Sequence, residues 1–176
     1  DLGKAFNLFN QAAKAGSSEG MYRLAIAYDE GVGARKDPAT ACQWFVGAAN
    51  YGHLWSLEEA GRCYYKGTGV PQDRVTAFQL FVLAGQAGSP TARDCVADML
   101  DLGEGTVKDQ QAAVHWYEAS ANQGDLYAMT ELGLHYRQGQ GVTWSEARAM
   151  EWFGKAAQKQ YAPAETNLAL GYMEGL

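Results

Sequence analysis

A register of 36 residues runs through the chain and constrains its fold more than any other feature. Shifting the sequence by that length aligns Ala5, Ala41, Ala77, Ala113 and Ala149. Three residues on come Leu8, Trp44, Leu80, Trp116 and Trp152, and directly after them Phe9, Phe45, Phe81, Tyr117 and Phe153. Small pairs follow, such as Ala48-Ala49 and Ala156-Ala157, and then a stop column of Gly16, Gly52, Gly88, Gly124 and the exception Gln160. These spacings of three and four mark one face of an α-helix. Asp1, Asp37, Asp73, Asp109 and Ser145 precede it, and their side chains suit the N-cap.

The other half of the period carries a second helical face. Its columns run through Gly20, Ser56, Ala92, Ala128 and Ala164, then Leu24, Ala60, Val96, Leu132 and Leu168. Ala25, Gly61, Ala97, Gly133 and Ala169 follow, then Tyr28, Tyr64, Leu100, Tyr136 and Tyr172. Glycines at 31, 67, 103, 139 and 175 close this helix, and a second set at 33, 69, 105 and 141 follows two residues later. The spacing predicts a first helix, helix A, near 18–30, 54–66, 90–102, 126–138 and 162–174. It predicts a second, helix B, near 2–15, 38–51, 74–87, 110–123 and 146–159. No strand pattern competes, so the expected fold is an all-α solenoid of antiparallel helix pairs.

The domain reading is a single repeat array over 1–176. Partial repeats at 1–16 and 161–176 flank full ones at 17–52, 53–88, 89–124 and 125–160. Neither end has the polar face of a capping repeat, so a fragment of a longer array is expected. Hydrophobic residues are 47% and charged residues 19% of the chain, a globular composition. Net charge is −6, and no basic run offers a stripe for phosphates, which argues against nucleic acid. No apolar run approaches the length of a membrane-spanning helix, and compartment is left open.

These columns resemble the Sel-one-like repeat, a relative of the tetratricopeptide repeats. The resemblance rests on Ala128, Leu132-Gly133, Tyr136, Gly139-x-Gly141-Val142, Ala149, Trp152-Phe153 and Ala156-Ala157, and on Gly67-Thr68-Gly69-Val70 with Asp73 and Ala77. It implies a right-handed α-solenoid used as an adaptor for protein complexes, without the activity of an enzyme. Relatives act in protein quality control, cell-wall synthesis and signalling, and bacterial host interaction. One subset of the family is exported and carries paired cysteines in each repeat. Here Cys42, Cys63 and Cys95 fall in three different columns. Cys42 and Cys63 lie on neighbouring helices and could meet, but buried free thiols are the expected state.

No chemical constellation stands out. Trp44-Phe45, Trp116-Tyr117 and Trp152-Phe153 fall in core columns, so a ligand cage gives way to packing. Gly-x-Gly turns follow helices and lack the lysine of a nucleotide loop, so helix termination explains them. His53, His115 and His135 have no partner at ligand spacing, so neither metal nor cofactor is expected. No serine precedes a lysine by three residues, which disfavours a β-lactam or cell-wall hydrolase.

Residues that vary at fixed spacing on helix A are the candidate partner-binding set: Trp55, Glu58, Glu59, Arg62, Lys66, Asp94, Asp98, Tyr127 and Glu131. They are expected to line a concave surface that takes a protein or peptide. A regulatory subunit that activates a separate enzyme would use the same face. Trp55 and Tyr127 share a column and read either as anchors or as fillers between repeats, with filling preferred. Trp144 reads as a staple over the start of helix B, or as an edge contact if exposed.

Overall fold

The computed structural model describes residues 1–173. Among these it is all-helical: α1(Leu2–Lys14), α2(Ser18–Glu30), α3(Pro38–Asn50), α4(Leu54–Lys66), α5(Arg74–Gln86), α6(Pro90–Leu102), α7(Gln110–Ala121), α8(Leu126–Gln138), α9(Glu146–Ala157) and α10(Ala162–Met173). Helix A is the even-numbered series and helix B the odd. Both sets follow the predicted spans to within two residues. The expected stop at Gly175 lies outside the described residues.

Local chemistry accounts for the boundaries. Each predicted cap accepts a bond from the first turn, as in Asp37 Oδ1 from the Thr40 N–H at 3.2 Å and Asp109 Oδ1 from the Ala112 N–H at 3.0 Å. The cap's own N–H returns to the preceding helix A. Asp37, Asp73 and Ser145 donate to the carbonyls of Tyr28, Tyr64 and Tyr136 at 2.8–2.9 Å. That contact ties the end of one helix to the start of the next. At the other end of helix B, Gln160 takes the left-handed conformation, φ 60°, that glycine supplies in the other repeats. A residue with a Cβ bears a cost there that glycine does not.

The chain forms two compact units, Asp1–Ala87 and Gly88–Leu176. Within the first, consecutive helices α1 to α5 pack on one another. Leu24, Ala25, Ala41, Phe45, Ala48 and Ala60 are buried there. Within the second, α6 to α10 do the same, burying Val96, Ala97, Ala113, Tyr117, Leu132 and Phe153. Small residues set the spacing: a Cβ on Gly61 or Gly133 would stand 2.9 or 2.5 Å from the ring of Phe81 or Phe153. In the third repeat Leu100 is buried in the place of the tyrosine.

The aromatic pairs divide in a way their shared periodicity does not predict. Phe45, Phe81, Tyr117 and Phe153 are buried, whereas Trp44, Trp116 and Trp152 are only half-buried. One residue along a helix is a rotation of about 100°, so the tryptophan leans to the rim of the contact. Lys155 covers the Trp152 ring with its ammonium 3.9 Å from the centroid. The tryptophans are therefore edge packing rather than core.

The second glycine of each loop also does more than end a helix. A Cβ on Gly69 would overlap the carbonyl oxygen of Ala39, and one on Gly141 that of Gln110. The loop backbone thus runs directly against the first turn of the preceding helix B.

Cys42 of α3 and Cys63 of α4 form a disulfide, with Cα atoms 5.7 Å apart. This corrects the expectation of free thiols. The chain reverses between the two helices, so the start of α3 lies beside the end of α4, and different columns can meet. Replacing both cysteines by alanine is expected to cost about 2–4 kcal/mol, because the bridge closes a loop of 21 residues' separation in the unfolded chain. Urea unfolding with and without reductant checks this: the double variant should lose all sensitivity to reductant.

Candidate functional site

Helix A carries two kinds of position. The core columns face the helix B partners, and of the nine candidate residues in the intervening columns all but the buried Asp94 stay wholly or partly open. The nine candidate residues fall into two sets, one in each unit.

In the first unit Trp55 is 68% exposed. The expectation that it fills a gap between repeats is wrong. Its indole packs edge-on to the His53 ring at 5.6 Å between centroids and lies 6.2 Å from that of Tyr22. Tyr22 stacks on His53 at 4.4 Å. His53 is fixed from both sides, with Nδ1 2.9 Å from Ser56 Oγ and Nε2 3.0 Å from Glu19 Oε2. Glu19 also accepts from Arg23 at 2.6 Å. The Arg23 bond first, and then the His53 bond, hold its carboxyl below the ordinary value.

Serine, histidine and glutamate in a row resemble a nucleophilic relay. Ser56 is 0% exposed, however, so no substrate carbonyl can reach its oxygen. The row instead braces the base of Trp55. Sequence reasoning missed it because Glu19 and His53 belong to different columns, 34 residues apart. A signal was present: Ser17, Ser89 and Asp125 cap α2, α6 and α8, while His53 makes no cap bond to α4.

One turn further along α4, Arg62 pairs with Glu58 at 2.5 Å and with Glu59 at 3.6 Å. Burial raises the Glu59 carboxyl above its ordinary value, against the pull of Arg62. Lys66 is exposed at the end of the helix. An open cleft of about 260 Å3 lies over the disulfide, lined in part by Asp29, Pro38, Cys42, Glu59, Arg62 and Lys66. Two acidic and two basic side chains, Asp29, Glu59, Arg62 and Lys66, line it.

In the second unit the face is acidic. Asp98 Oδ1 accepts from the hydroxyls of Tyr117 at 2.5 Å and Tyr127 at 2.9 Å. Tyr127 is 37% exposed, so it bridges neighbouring A helices with one ring edge in the open; filling describes it in part. Burial, and then the Asp98 charge, push both phenols well above the usual tyrosine range. Glu131 is raised by burial and by the charges of Asp98 and Asp101. Asp94, one turn before Asp98, is only 8% exposed. Burial lifts its carboxyl to about 7, against the opposing pull of the buried Ser120 hydroxyl of α7.

Trp144 is 64% exposed, which makes it an edge residue and not a staple. Among the described residues no group of His, Cys, Asp or Glu side chains is arranged to hold a metal ion. No helix there is long and apolar enough to cross a membrane.

Interchangeable buried columns and loops clamped to the preceding helix define an all-helical repeat protein. Residues 1–17, 18–53, 56–89, 96–125 and 126–161 match the Sel1 repeat, and the chain belongs to that family. Its members are commonly scaffolds for protein interactions and typically not enzymes.

The chain is similar in structure to c5321, a protective antigen of uropathogenic Escherichia coli strains with an SLR fold. The TM-score is 0.93 at 30% identity, over 100% of this chain and 38% of that one. A Sel1 repeat protein from Oxalobacter formigenes gives 0.83 at 30% identity, over 90% of this chain and 65% of that one. Cysteine rich protein B of Helicobacter pylori shares the fold at 0.58 and 22% identity, over 76% of this chain and 96% of that one. The chain thus spans less than two thirds of the first two relatives. No curated protein matches it in sequence.

Proposed function

We propose that this chain is the partner-binding part of a protein-interaction scaffold and that the open columns of α2, α4, α6 and α8 make the contact. The observation that carries this reading is Trp55. A large aromatic ring is held in the open by packing on Tyr22 and His53, beside the Glu58–Arg62–Glu59 ion pairs. An aromatic or arginine anchor of fixed geometry surrounded by polar groups is the usual centre of a binding surface, and its ordering cost is already met in the free protein. Glu59, Arg62, Lys66, Asp94, Asp98, Tyr127 and Glu131 are read as parts of the same kind of surface. The buried disulfide supports a working place in an oxidising compartment.

The test is a pull-down from source cells with the intact chain and with Glu59→Ala, Arg62→Ala and Glu131→Ala combined. The partner recovered by the intact chain should fall at least about tenfold with the triple variant, as loss of charge-assisted contacts predicts. Undiminished recovery of the same partner by a folded triple variant would exclude the helix A face.

A further inference from the structure

The disulfide of the first unit is not sealed inside it. Cys42 and Cys63 are 8% and 4% exposed, and both line the open cleft of about 260 Å3. A molecule of amino-acid size can therefore stand over the bridge while the unit stays folded. Access of this kind, and not burial alone, decides whether a disulfide is inert or exchanges with thiols.

The charges around the cleft are grouped about Cys63. Glu59, Arg62 and Lys66 lie within about one turn of it on α4, and Asp29 reaches the same space from α2. Arg62 is occupied by Glu58 and Glu59. Asp29 and Lys66 are exposed, and among the described residues neither forms an ion pair. Both lie close enough to Glu59 to act on its charge.

An open carboxylate and an open ammonium beside one disulfide fit a ligand that carries the opposite pair of charges with a sulfur between them. An α-amino-acid thiol has that form, its ammonium suited to Asp29 and its carboxylate to Lys66. We propose that this cleft is a thiol-exchange site, where a zwitterionic aminothiol docks and opens the Cys42–Cys63 bridge through a mixed disulfide on Cys63. The aminothiol sulfur, as thiolate, bonds to Cys63 Sγ. The bond between the two cysteines breaks, and its electron pair leaves with Cys42 Sγ, which then takes a proton. Cys42 lies nearer the positive, N-terminal end of its helix, whereas Cys63 lies in the last turn of α4, so Cys42 is the better leaving group. A second aminothiol attacks the first one's sulfur and releases Cys63 as a thiol. Two thiols are thus oxidised to one small disulfide, and the protein bridge is reduced by two electrons. The mixed disulfide would cover Glu59, Arg62 and Lys66 of the candidate face. The exchange itself is a property of the chain alone and does not depend on the scaffold reading.

The test is the rate of bridge opening in the folded chain, read by mass spectrometry of acid-quenched samples. The probes are L-cysteine, N-acetyl-L-cysteine, which lacks the ammonium, and 2-mercaptoethanol, which lacks both charges. Each rate is divided by that of the same thiol on bis(2-hydroxyethyl) disulfide, which removes differences in nucleophilicity. An exposed charge contact is worth up to about fivefold. L-cysteine is therefore expected to exceed 2-mercaptoethanol about tenfold, with N-acetyl-L-cysteine between them and every rate proportional to thiol concentration. Asp29→Asn with Lys66→Met changes two exposed side chains and should bring the three thiols within about twofold of one another. Opening at one common rate that ignores thiol concentration would mean that the bridge is reached only on unfolding, and overturns the proposal. So does a direct reaction with no preference for L-cysteine, or a preference that survives in the double variant.

Discussion

Phe153→Ala is expected to destabilise the second unit by about 3–5 kcal/mol. The ring is 0% exposed, lies against the bare backbone of Gly133 and is covered on one face by the Arg137 guanidinium, 4.7 Å from its centroid. The close approach of α8 and α9 is shaped to this ring, so alanine leaves a cavity that neither helix can close without moving its whole length. Because repeat stability is carried by neighbouring interfaces, the loss should appear in unfolding of residues 88–176 before that of residues 1–87. Hydrogen exchange read segment by segment checks this. A change of less than about 1 kcal/mol would show that the buried aromatic column is not the core.

The second large effect belongs to a loop. Gly69→Ala is expected to cost about 3 kcal/mol. Two separable terms add up here. Backbone at φ 69° is unfavourable for a residue with a Cβ by about 1–2 kcal/mol. The new Cβ would also overlap the Ala39 carbonyl, and backbone cannot step aside as a flexible side chain can. Gly52→Ala isolates the first term, since Gly52 has φ 80° and nothing within 4 Å of an added Cβ. Urea midpoints for the two variants should differ in the ratio these terms predict, with Gly69→Ala much the more harmful. Equal effects would mean that the loop does not touch the first turn of α3.

The architecture was legible because its determinants are local and repeated. Caps such as Asp37 and Asp109 act within three residues, and glycines such as Gly67 and Gly103 act on their own backbone. Five copies of each pattern remove the ambiguity a single helix would leave. The misreadings share one cause, which is dependence on contacts between elements. Trp116 and Tyr117 have the same periodicity but differ in burial, because depth depends on where the neighbouring helix axis lies. Cys42 and Cys63 occupy different columns, and only the antiparallel packing of α3 on α4 joins them. The Glu19–His53–Ser56 row likewise depends on α2 meeting the start of α4. As for the candidate face, sequence variation marked the helix and the columns. It could not show which residues stand clear of the surface, as Trp55 does, and which bond inward, as Asp98 does.

The central claim is that buried columns build the scaffold while the open columns of helix A do its work. Trp55→Ala tests that division most directly. With the partner identified from source cells, titration calorimetry gives its affinity and a thermal melt gives the stability of the same sample. The account predicts a melting temperature within about 2 °C of the intact chain, as for an exposed site. It predicts an affinity weakened at least about thirtyfold, the effect of losing an aromatic anchor. Unchanged affinity together with a large fall in melting temperature would contradict it, and would make Trp55 a structural residue of the array.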